Sequence, residues 1–289
     1  MTATLGTPTA QQPASPPASW KEMMAVFLAR QIRDTDRICS GAHTEISFAA
    51  TMLAQKMHAP NLKLQLGGGA FLCNVAGVEV DELPRTSVDY RIMGWSEAYF
   101  EHHDTFNHYG PPGGRDYYEN TDRWRSTNKY FFADKFFVGG IQVDRHGNTN
   151  LIGTGENGHF TFRGPGSVGI NDVTTVRDSF VFMTAHDRQR FVARADFVSM
   201  PGPKTYREKD LAGNGPQFIV SPRCVFDFSG PDQTAALVGL FPGHTEDEVA
   251  ENTGWEIIRS PHFVELQPPS ASELHILRSA IDRKGVLRK

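Results

Sequence analysis

Alternating hydrophobic and polar positions predict a strand, a helix and a second strand in the first quarter of the chain. Leucines at every second position of 62–66 have the period of a half-buried strand. Residues 44–57 place apolar side chains at helical spacing, and 37–42 form a short apolar run that ends in a glycine turn. A strand, a helix and a strand in close succession form a βαβ unit, which implies parallel strands and a right-handed connection.

The segment before this unit divides into two parts. Residues 20–34 have the spacing of an amphipathic helix, with Ser19 as the N-cap and Glu22 three residues later. Residues 1–19 are rich in Thr, Ala, Pro and Gln, without a basic or apolar region, and we expect a disordered leader rather than a signal peptide. The sequence therefore predicts one domain over 20–289.

The rest of the chain is rich in short apolar runs separated by turn residues, which is typical of strands. These runs are 130–138, 179–183, 190–198, 218–221, 224–228 and 235–241. Helices are predicted to start at Thr245 and to span 270–282. The predicted fold is α/β: an open, mostly parallel sheet with helices on both faces and a β-rich C-terminal part.

Glycine-rich turns are the first candidates for chemistry. Gly67, Gly68 and Gly69 follow the strand at 62–66, and a second glycine loop spans 164–169. Such glycines either make a turn or leave bare amides that a ligand can approach. Asp144 and Gly147 have the positions of a hairpin turn, which Asn148 would help to hold.

The segment 102–126 has no period and dense turn residues, so we expect a long surface loop. It contains His102, His103 and His108, whose spacing matches no helical ligand pair and which have no acidic ligand in register. A loop facing solvent or a partner is favoured over a metal site.

Charge and cysteine content exclude several classes of protein. The net charge of −4 gives no electrostatic footprint for nucleic acid or an anionic membrane, and no apolar run is long enough to span a bilayer. The three cysteines, Cys39, Cys73 and Cys224, are far apart and have no metal-like spacing. They indicate structural thiols in a reducing cytoplasm, although a nucleophilic cysteine paired with a histidine stays open.

The order of these motifs resembles the β subunit of class I CoA-transferases. It is most similar to the β subunit of the ring-opening CoA-thioester hydrolases of bacterial steroid (cholesterol) degradation, which share that fold. The segments that carry the resemblance are Gln65–Gly69, Gly140–Asp144 with Gly147 and Asn148, Gly164–Gly169, Phe226–Asp232, Phe241–Thr245 and Pro268–Arg278. The resemblance covers about Met24 to Arg283 except the loop at 102–126, which looks inserted relative to this family.

The sequence departs from the transferases at one turn. In the transferases the first strand of the match runs into a Ser-Glu-Asn-Gly turn whose Glu attacks the thioester. Here those positions are Leu66, Gly67, Gly68 and Gly69. The Glu-Asn-Gly tripeptide at 156–158 follows the Gln142-Val-Asp motif instead of preceding it, so we give Glu156 little weight as a nucleophile.

The resemblance therefore implies a site shared between two chains. An α-type subunit, in a heterodimer or heterotetramer, would supply the main acid. The amides of Gly67, Gly68 and Gly69, and those of the loop at 164–169, would hold an oxyanion or enolate. Glu45 and His43 could project into the same crevice, although Glu45 also suits a first helical turn. Residues expected to contact substrate or CoA are Gln142, Asn148, Arg163, Gly164, Gly166, Ser167 and Gly169.

The implied reaction is hydrolytic C–C ring opening of a cyclic β-dicarbonyl CoA thioester. Coenzyme A enters as part of the substrate, and neither a bound cofactor nor a metal is expected. One alternative is a CoA-transferase that recruits Glu45, Glu156 or a partner's carboxylate. A second alternative is a non-catalytic subunit that stabilises or regulates its partner.

Overall fold

The computed structural model of the protein describes residues 16–41, 45–66, 70–72, 77–86, 89–99, 133–156, 159–167, 170, 176–211 and 213–289. Most of the expected leader and the expected loop at 102–126 lie outside these residues, as do Gly67–Gly69, Gly169, His43 and Cys73. None of the described helices is long and apolar enough to cross a membrane.

The helices and strands predicted from the sequence occur in the expected order, together with several short elements that were not predicted. The helices are α1 (Trp20–Arg30), α2 (Glu45–Met57), α3 (Tyr90–Trp95), α4 (Pro203–Glu208), α5 (Glu246–Glu251) and α6 (Ala271–Ile276), which continues as a π-helical turn, Leu277–Ile281. The strands are β1 (Arg37–Ser40), β2 (Lys63–Leu66), β3 (Ala70–Leu72), β4 (Ala98–Tyr99), β5 (Lys135–Gly139), β6 (Gln142–Asp144), β7 (Thr149–Asn150), β8 (Gly153–Glu156), β9 (His159–Arg163), β10 (Asp178–Phe182), β11 (Phe191–Val192), β12 (Pro216–Val220), β13 (Cys224–Asp227) and β14 (Ala236–Leu240).

The main sheet has parallel strands at its centre and antiparallel strands at both edges. Its order is β14-β13-β12-β10-β5-β1-β2-β3-β4. Strands β12, β10, β5, β1 and β2 are parallel neighbours, whereas β13, β14, β3 and β4 pair antiparallel. Only three residues join β2 to β3, too few for a parallel crossover, so that edge turns back as a hairpin. The predicted α/β class and the β-rich C-terminal part are confirmed.

The two faces of the sheet have separate hydrophobic cores because strand side chains alternate. In β5, Phe137 faces one core and Phe136 the other. The first core is covered by α1, α2 and the turn after α6. The second contains Val143 of β6, Phe191 of β11 and Val249 of α5. Helices therefore lie on both faces, but a small sheet, β11-β6-β7, covers much of the second.

The predicted hairpin turn between β6 and β7 is confirmed. The amide of Gly147 donates to the carbonyl of Asp144 at 2.9 Å, and the Asp144 carboxylate accepts from the amides of His146 and Asn148. Gly147 has a φ of 79°, and a Cβ atom there would lie 2.5 Å from the ring of Phe228. Both the backbone conformation and the close ring require glycine.

Helices α1 and α6 are joined by two reciprocal ion pairs. Each helix begins with a capping box, in which Glu22 and Glu273 are the acids. Arg278 binds Glu22 at 2.8 Å, and Arg30 binds Glu273 at 2.7 Å. Burial opposes ionisation of Glu22, but the hydrogen bonds from Arg278 and from the Ser19 amide hold its pKa below the usual value. Each acid therefore caps its own helix and also binds the other end of the chain.

A buried ion cluster lies at the amino ends of the central strands. Lys135, the first residue of β5, donates to Asp36, and the two side chains are only 5% and 4% exposed. Arg177 binds Asp36 at 3.4 Å and Asp134 at 3.0 Å. Arg37 also binds Asp134, at 3.1 Å. Together these contacts tie the starts of β1, β5 and β10.

Candidate functional site

The strand order reverses between β1 and β5. From β1 the chain continues outward through β2, β3 and β4, whereas β5, β10 and β12 extend the sheet on the other side of β1. In open α/β sheets, ligands bind outside the carboxyl ends of the strands at such a switch point. The candidate crevice therefore lies at the ends of β1 and β5.

Two groups predicted from the sequence belong to this edge. Ser40 ends β1 beside Leu66, which ends β2, so Gly67–Gly69 continue the chain from this edge. The hydroxyl groups of Ser40 and Ser47 are hydrogen-bonded at 2.5 Å, which holds the first turn of α2 against the end of β1. Glu45 is the first residue of α2 and is half-buried. Glu45 is thus placed near the switch point.

The side chain of Gln142 makes hydrogen bonds inside the small sheet β11-β6-β7. Its side-chain oxygen accepts hydrogen bonds from Asn150 Nδ2 at 2.7 Å and from the amide of Asp196 at 3.1 Å. The residue is 5% exposed. These contacts account for its burial without a ligand, so a role in binding CoA stays a prediction.

Asn148 holds the turn between β6 and β7, as the sequence predicted. Its Nδ2 donates to Asp144 Oδ2 at 3.1 Å, and its Oδ1 accepts from the amide of Gly202 at 3.0 Å. Both ends of this side chain are therefore engaged within the fold. Contact with CoA, the second role expected for Asn148, is untested.

The second glycine loop does not present bare amides at its first positions. The amide of Gly164 donates to the carbonyl of Ile152 at 2.8 Å, and that of Gly166 to Leu151 at 2.9 Å. These donors are used because the loop folds back along the chain that enters β8. The expectation that Gly164 and Gly166 offer free amides to an oxyanion is therefore corrected, whereas their place beside the substrate is untested.

Two side chains of the same region keep polar atoms at the surface. Ser167 is hydrogen-bonded through its hydroxyl to Ser199 at 2.9 Å. Arg163 is exposed; its Nη1 donates to the carbonyl of Ile152, and its guanidinium lies 5.0 Å from the centre of the Phe160 ring. Arg163 retains further N–H donors for an anion.

Glu156 lies apart from the main sheet. It ends β8, which pairs only with β9 in a two-stranded sheet, and its side chain is exposed. Its counterpart across the hairpin is His159. This placement agrees with the low weight given to Glu156 as a nucleophile.

A buried polar cluster around His186 was missed from the sequence. Its Nδ1 lies 2.8 Å from Ser221 Oγ, and its Nε2 lies 3.0 Å from Thr253 Oγ1. The hydroxyl of Thr253 donates to the carbonyl of Val249, so it accepts from Nε2–H, which leaves Nδ1 as an acceptor beside the Ser221 hydroxyl and the Cys224 thiol. Burial, helped by the charge of Arg223, lowers the pKa of His186 to about 3.

Cys224 is part of this cluster, but it is not an activated nucleophile. Its Sγ lies 3.7 Å from Nδ1 of His186, and it is fully buried. Burial raises the pKa of the Cys224 thiol to about 12. A neutral thiol beside a neutral imidazole supports the structural role that was preferred for the cysteines.

The neutral state of His186 predicts a pH-dependent stability. The folded-state pKa lies below the ordinary value of 6.5, so the unfolded chain binds the extra proton. The contribution is complete above pH 6.5, falls by about 1.4 kcal/mol per pH unit below it, and is lost as the pH reaches about 3. Urea unfolding of the wild type and of His186→Gln at several pH values checks this. The prediction would be contradicted if the unfolding free energy depended on pH with the same slope in the two proteins.

No metal site is found in the described part of the chain. No group of three or more His, Cys, Asp or Glu side chains is placed there to hold an ion. His102, His103 and His108 lie outside the described residues, so the role of the histidine-rich loop stays a prediction.

Known proteins with similar sequences align with nearly the whole chain. The B subunit of glutaconate CoA-transferase from Acidaminococcus fermentans is 26% identical over 272 residues, which cover 91% of this chain and 92% of that protein. The IpdB subunit of the cholesterol ring-cleaving hydrolase of Mycobacterium tuberculosis is 28% identical over 275 residues, which cover 92% and 95%. No protein-family model matches the chain.

Solved structures share the fold. Glutaconate coenzyme A-transferase from A. fermentans superposes with a TM-score of 0.76 at 24% identity, over 94% of this chain and 97% of that chain. Rhodococcus jostii RHA1 IpdAB gives 0.69 at 22% identity, over 94% and 97%. The decarboxylase AibA/AibB gives 0.74 at 22% identity, over 93% and 97%. The chain is thus a homologue of CoA-transferase B subunits and of IpdB ring-cleaving hydrolase subunits, and it has their fold.

Proposed function

We propose that this chain is the B-type subunit of a heteromeric enzyme that acts on an acyl-CoA. The reaction we propose is hydrolytic ring opening of a cyclic β-dicarbonyl CoA thioester. Water adds to a ring carbonyl, the adjacent C–C bond breaks, and the leaving carbon departs as an enolate that is then protonated. The relatives named for cholesterol ring cleavage support this reaction, and the neighbours named for two subunits, IpdAB and AibA/AibB, support a heteromer.

One observation carries this proposal. The three residues between β2 and β3 are Gly67, Gly68 and Gly69, so this segment contains no carboxylate. A transferase that works through a covalent intermediate needs a nucleophile at its site. Three consecutive amides without side chains instead suit the stabilisation of an enolate or oxyanion.

The positions of the other acids support an active site whose catalytic groups come from both subunits. Glu156 lies in the separate β8–β9 hairpin, whereas Glu45 begins α2 near the end of β1. Glu45 is therefore the acid of this chain that we place beside the crevice. The main catalytic acid is assigned to the A-type partner. Among the predicted CoA contacts, Arg163, Ser167 and Asn148 have side chains that are at least partly exposed, but the amide group of Asn148 is bonded within the fold.

The cysteines bear on the cellular compartment of the proposed enzyme. Cys39 and Cys224 are both buried, Cys224 as a free thiol, and we propose a cytoplasmic enzyme. Coenzyme A enters as part of the substrate rather than as a resident cofactor.

A transferase remains the second candidate function. It is favoured by the match to the glutaconate CoA-transferase relative along nearly the whole chain. The fold itself does not distinguish a transferase from a hydrolase, because the solved structures that share it include a transferase, a ring-cleaving hydrolase complex and a decarboxylase. The non-catalytic alternative is tested by the glycine variants described below.

Isotope labelling distinguishes hydrolysis from transfer. During turnover of the complex in ¹⁸O-water, we expect the label in the newly formed carboxyl group, because water attacks the ring carbonyl. Borohydride or hydroxylamine added during turnover should trap no adduct on this chain, as peptide mass spectrometry would show. A trapped glutamyl adduct at Glu45 or Glu156, with CoA passing to a carboxylate acceptor, would establish the transferase instead.

A further inference from the structure

A cleft of about 810 Å³ lies at the amino ends of the parallel strands. Its wall includes Lys135, Asp178 and Pro216, the first residues of β5, β10 and β12. The candidate crevice lies at the opposite edge of the sheet, so the cleft is separate from it. Its volume is within the range of small-molecule sites.

Two buried polar atoms of the cleft's lining residues lack a hydrogen-bond partner among the described residues. They are Tyr206 Oη and Gln233 Oε1. Tyr206 is 2% exposed, and burial raises the pKa of its hydroxyl, which therefore stays a donor. Buried polar groups are nearly always paired in folded proteins, so these two atoms call for an acceptor and a donor respectively.

Unusual backbone conformations cluster at the same place. Within the described ranges, the non-glycine residues with positive φ are Asp210 at 49°, Asp232 at 55° and Gln233 at 57°. Asp210 and Gln233 line the cleft, and Asp232 immediately precedes Gln233. Gly215 also has a positive φ, and a Cβ there would lie 2.8 Å from the ring of Tyr206. Such conformations collect at binding sites, where the surrounding structure holds them.

The lining carries charges of both signs: its cations are Arg33, Lys135 and Arg207, and its acids are Asp178, Asp210 and Asp227. Arg33 and Arg207 line the cleft, are exposed, and make no ion pair in the described part of the chain. Asp178 is already bonded to Arg177 and Asn214, and Asp227 to Ser229 and Ser260. The phenylalanines in the lining are Phe180, Phe218 and Phe228.

We propose that this cleft binds a small hydroxylated aromatic carboxylate. The ring lies against the phenylalanine side chains, and the carboxylate meets Arg207 and Arg33. Tyr206 donates to an acceptor oxygen of the ligand, and the ligand's hydroxyl donates to Gln233. This site does not depend on the proposed ring opening, because it involves no residue of the crevice.

Calorimetric titration of the full chain with 4-hydroxybenzoate tests the site. We expect saturable binding, weakened about ten-fold or more in Arg207→Gln, because a hydrogen bond to a charged group is lost. Tyr206→Phe keeps the ring and should weaken binding several-fold. Arg194→Gln, an exposed arginine outside the cleft, is the matched control and should bind as the wild type does. Circular dichroism confirms that each variant is folded.

Four results would overturn the proposal. The first is no saturation up to ~10 mM 4-hydroxybenzoate, which leaves at most a very weak interaction. The second is equal binding by the wild type, Arg207→Gln and Tyr206→Phe. The third is equally tight binding of inorganic phosphate with the same dependence on Arg207, which would indicate a general anion site. The fourth is loss of binding once the A-type partner is present, which would make the cleft a contact between the two proteins.

Discussion

Replacing Gly68 with valine is expected to lower kcat/KM of the assembled enzyme about 10²-fold or more, the scale of losing an oxyanion donor. In sequence the residue lies between Leu66, which ends β2 at the carboxyl edge of the parallel strands, and Ala70, which begins β3. A branched side chain there would stand between the amides and the charge that develops during the reaction. Steady-state kinetics with the acyl-CoA substrate and mass photometry of the complex provide the two measurements.

Gly77 provides a matched control that distinguishes a loss of catalysis from a loss of folding or assembly. A Cβ atom added at Gly77 would meet no other atom within 4 Å. Gly77→Val is therefore expected to assemble and to turn over substrate as the wild type does. An assembled Gly68→Val enzyme with unchanged kcat/KM would exclude the triglycine as a charge-stabilising element and would favour the non-catalytic role for this chain.

Replacing Lys135 with methionine is expected to lower the free energy of unfolding by about 3–5 kcal/mol, because it leaves the Asp36 carboxylate buried without its closest cation. Asp36 is 3% exposed and cannot gain solvation in compensation. Urea denaturation followed by circular dichroism measures the change.

An exposed ion pair is the control for this second prediction. Lys284 binds Glu82 at 3.6 Å, and its side chain is 60% exposed. Lys284→Met should change the unfolding free energy by less than about 1 kcal/mol. Removing both charges with Lys135→Met and Asp36→Leu should recover part of the loss, since an apolar pair can replace a buried ion pair. Similar effects of the two single lysine variants would contradict the importance assigned to the buried pair.

The central strands and the first two helices could be predicted because their signals are local. Leucines at every second position marked β2, and the Ser19–Glu22 capping box marked the start of α1. The Asp144–Gly147 turn was recognisable because its residue types fit its backbone angles. In each case the contacts that matter lie within a few residues of one another.

The hydrogen bonding of the glycine loop and the His186 cluster could not be predicted in this way. A glycine pattern is the same whether its amides are free or bonded, and the acceptors at Leu151 and Ile152 depend on how the chain folds back. Ser221 and Thr253 are 35 and 67 residues from His186 in sequence. No periodicity or motif connects such distant groups.

The ion pairs between α1 and α6 have a consequence for folding while the chain is still being synthesised on the ribosome. Arg30 and Glu273 are separated by 243 residues, and Glu22 and Arg278 by 256. Glu273 and Arg278, the partners of α1, therefore leave the ribosome only after almost the whole polypeptide has been synthesised. Until then the apolar side of α1, including Met24 and Leu28, lacks part of its native cover. A nascent chain of this kind is a natural client for chaperones that shield exposed apolar surface.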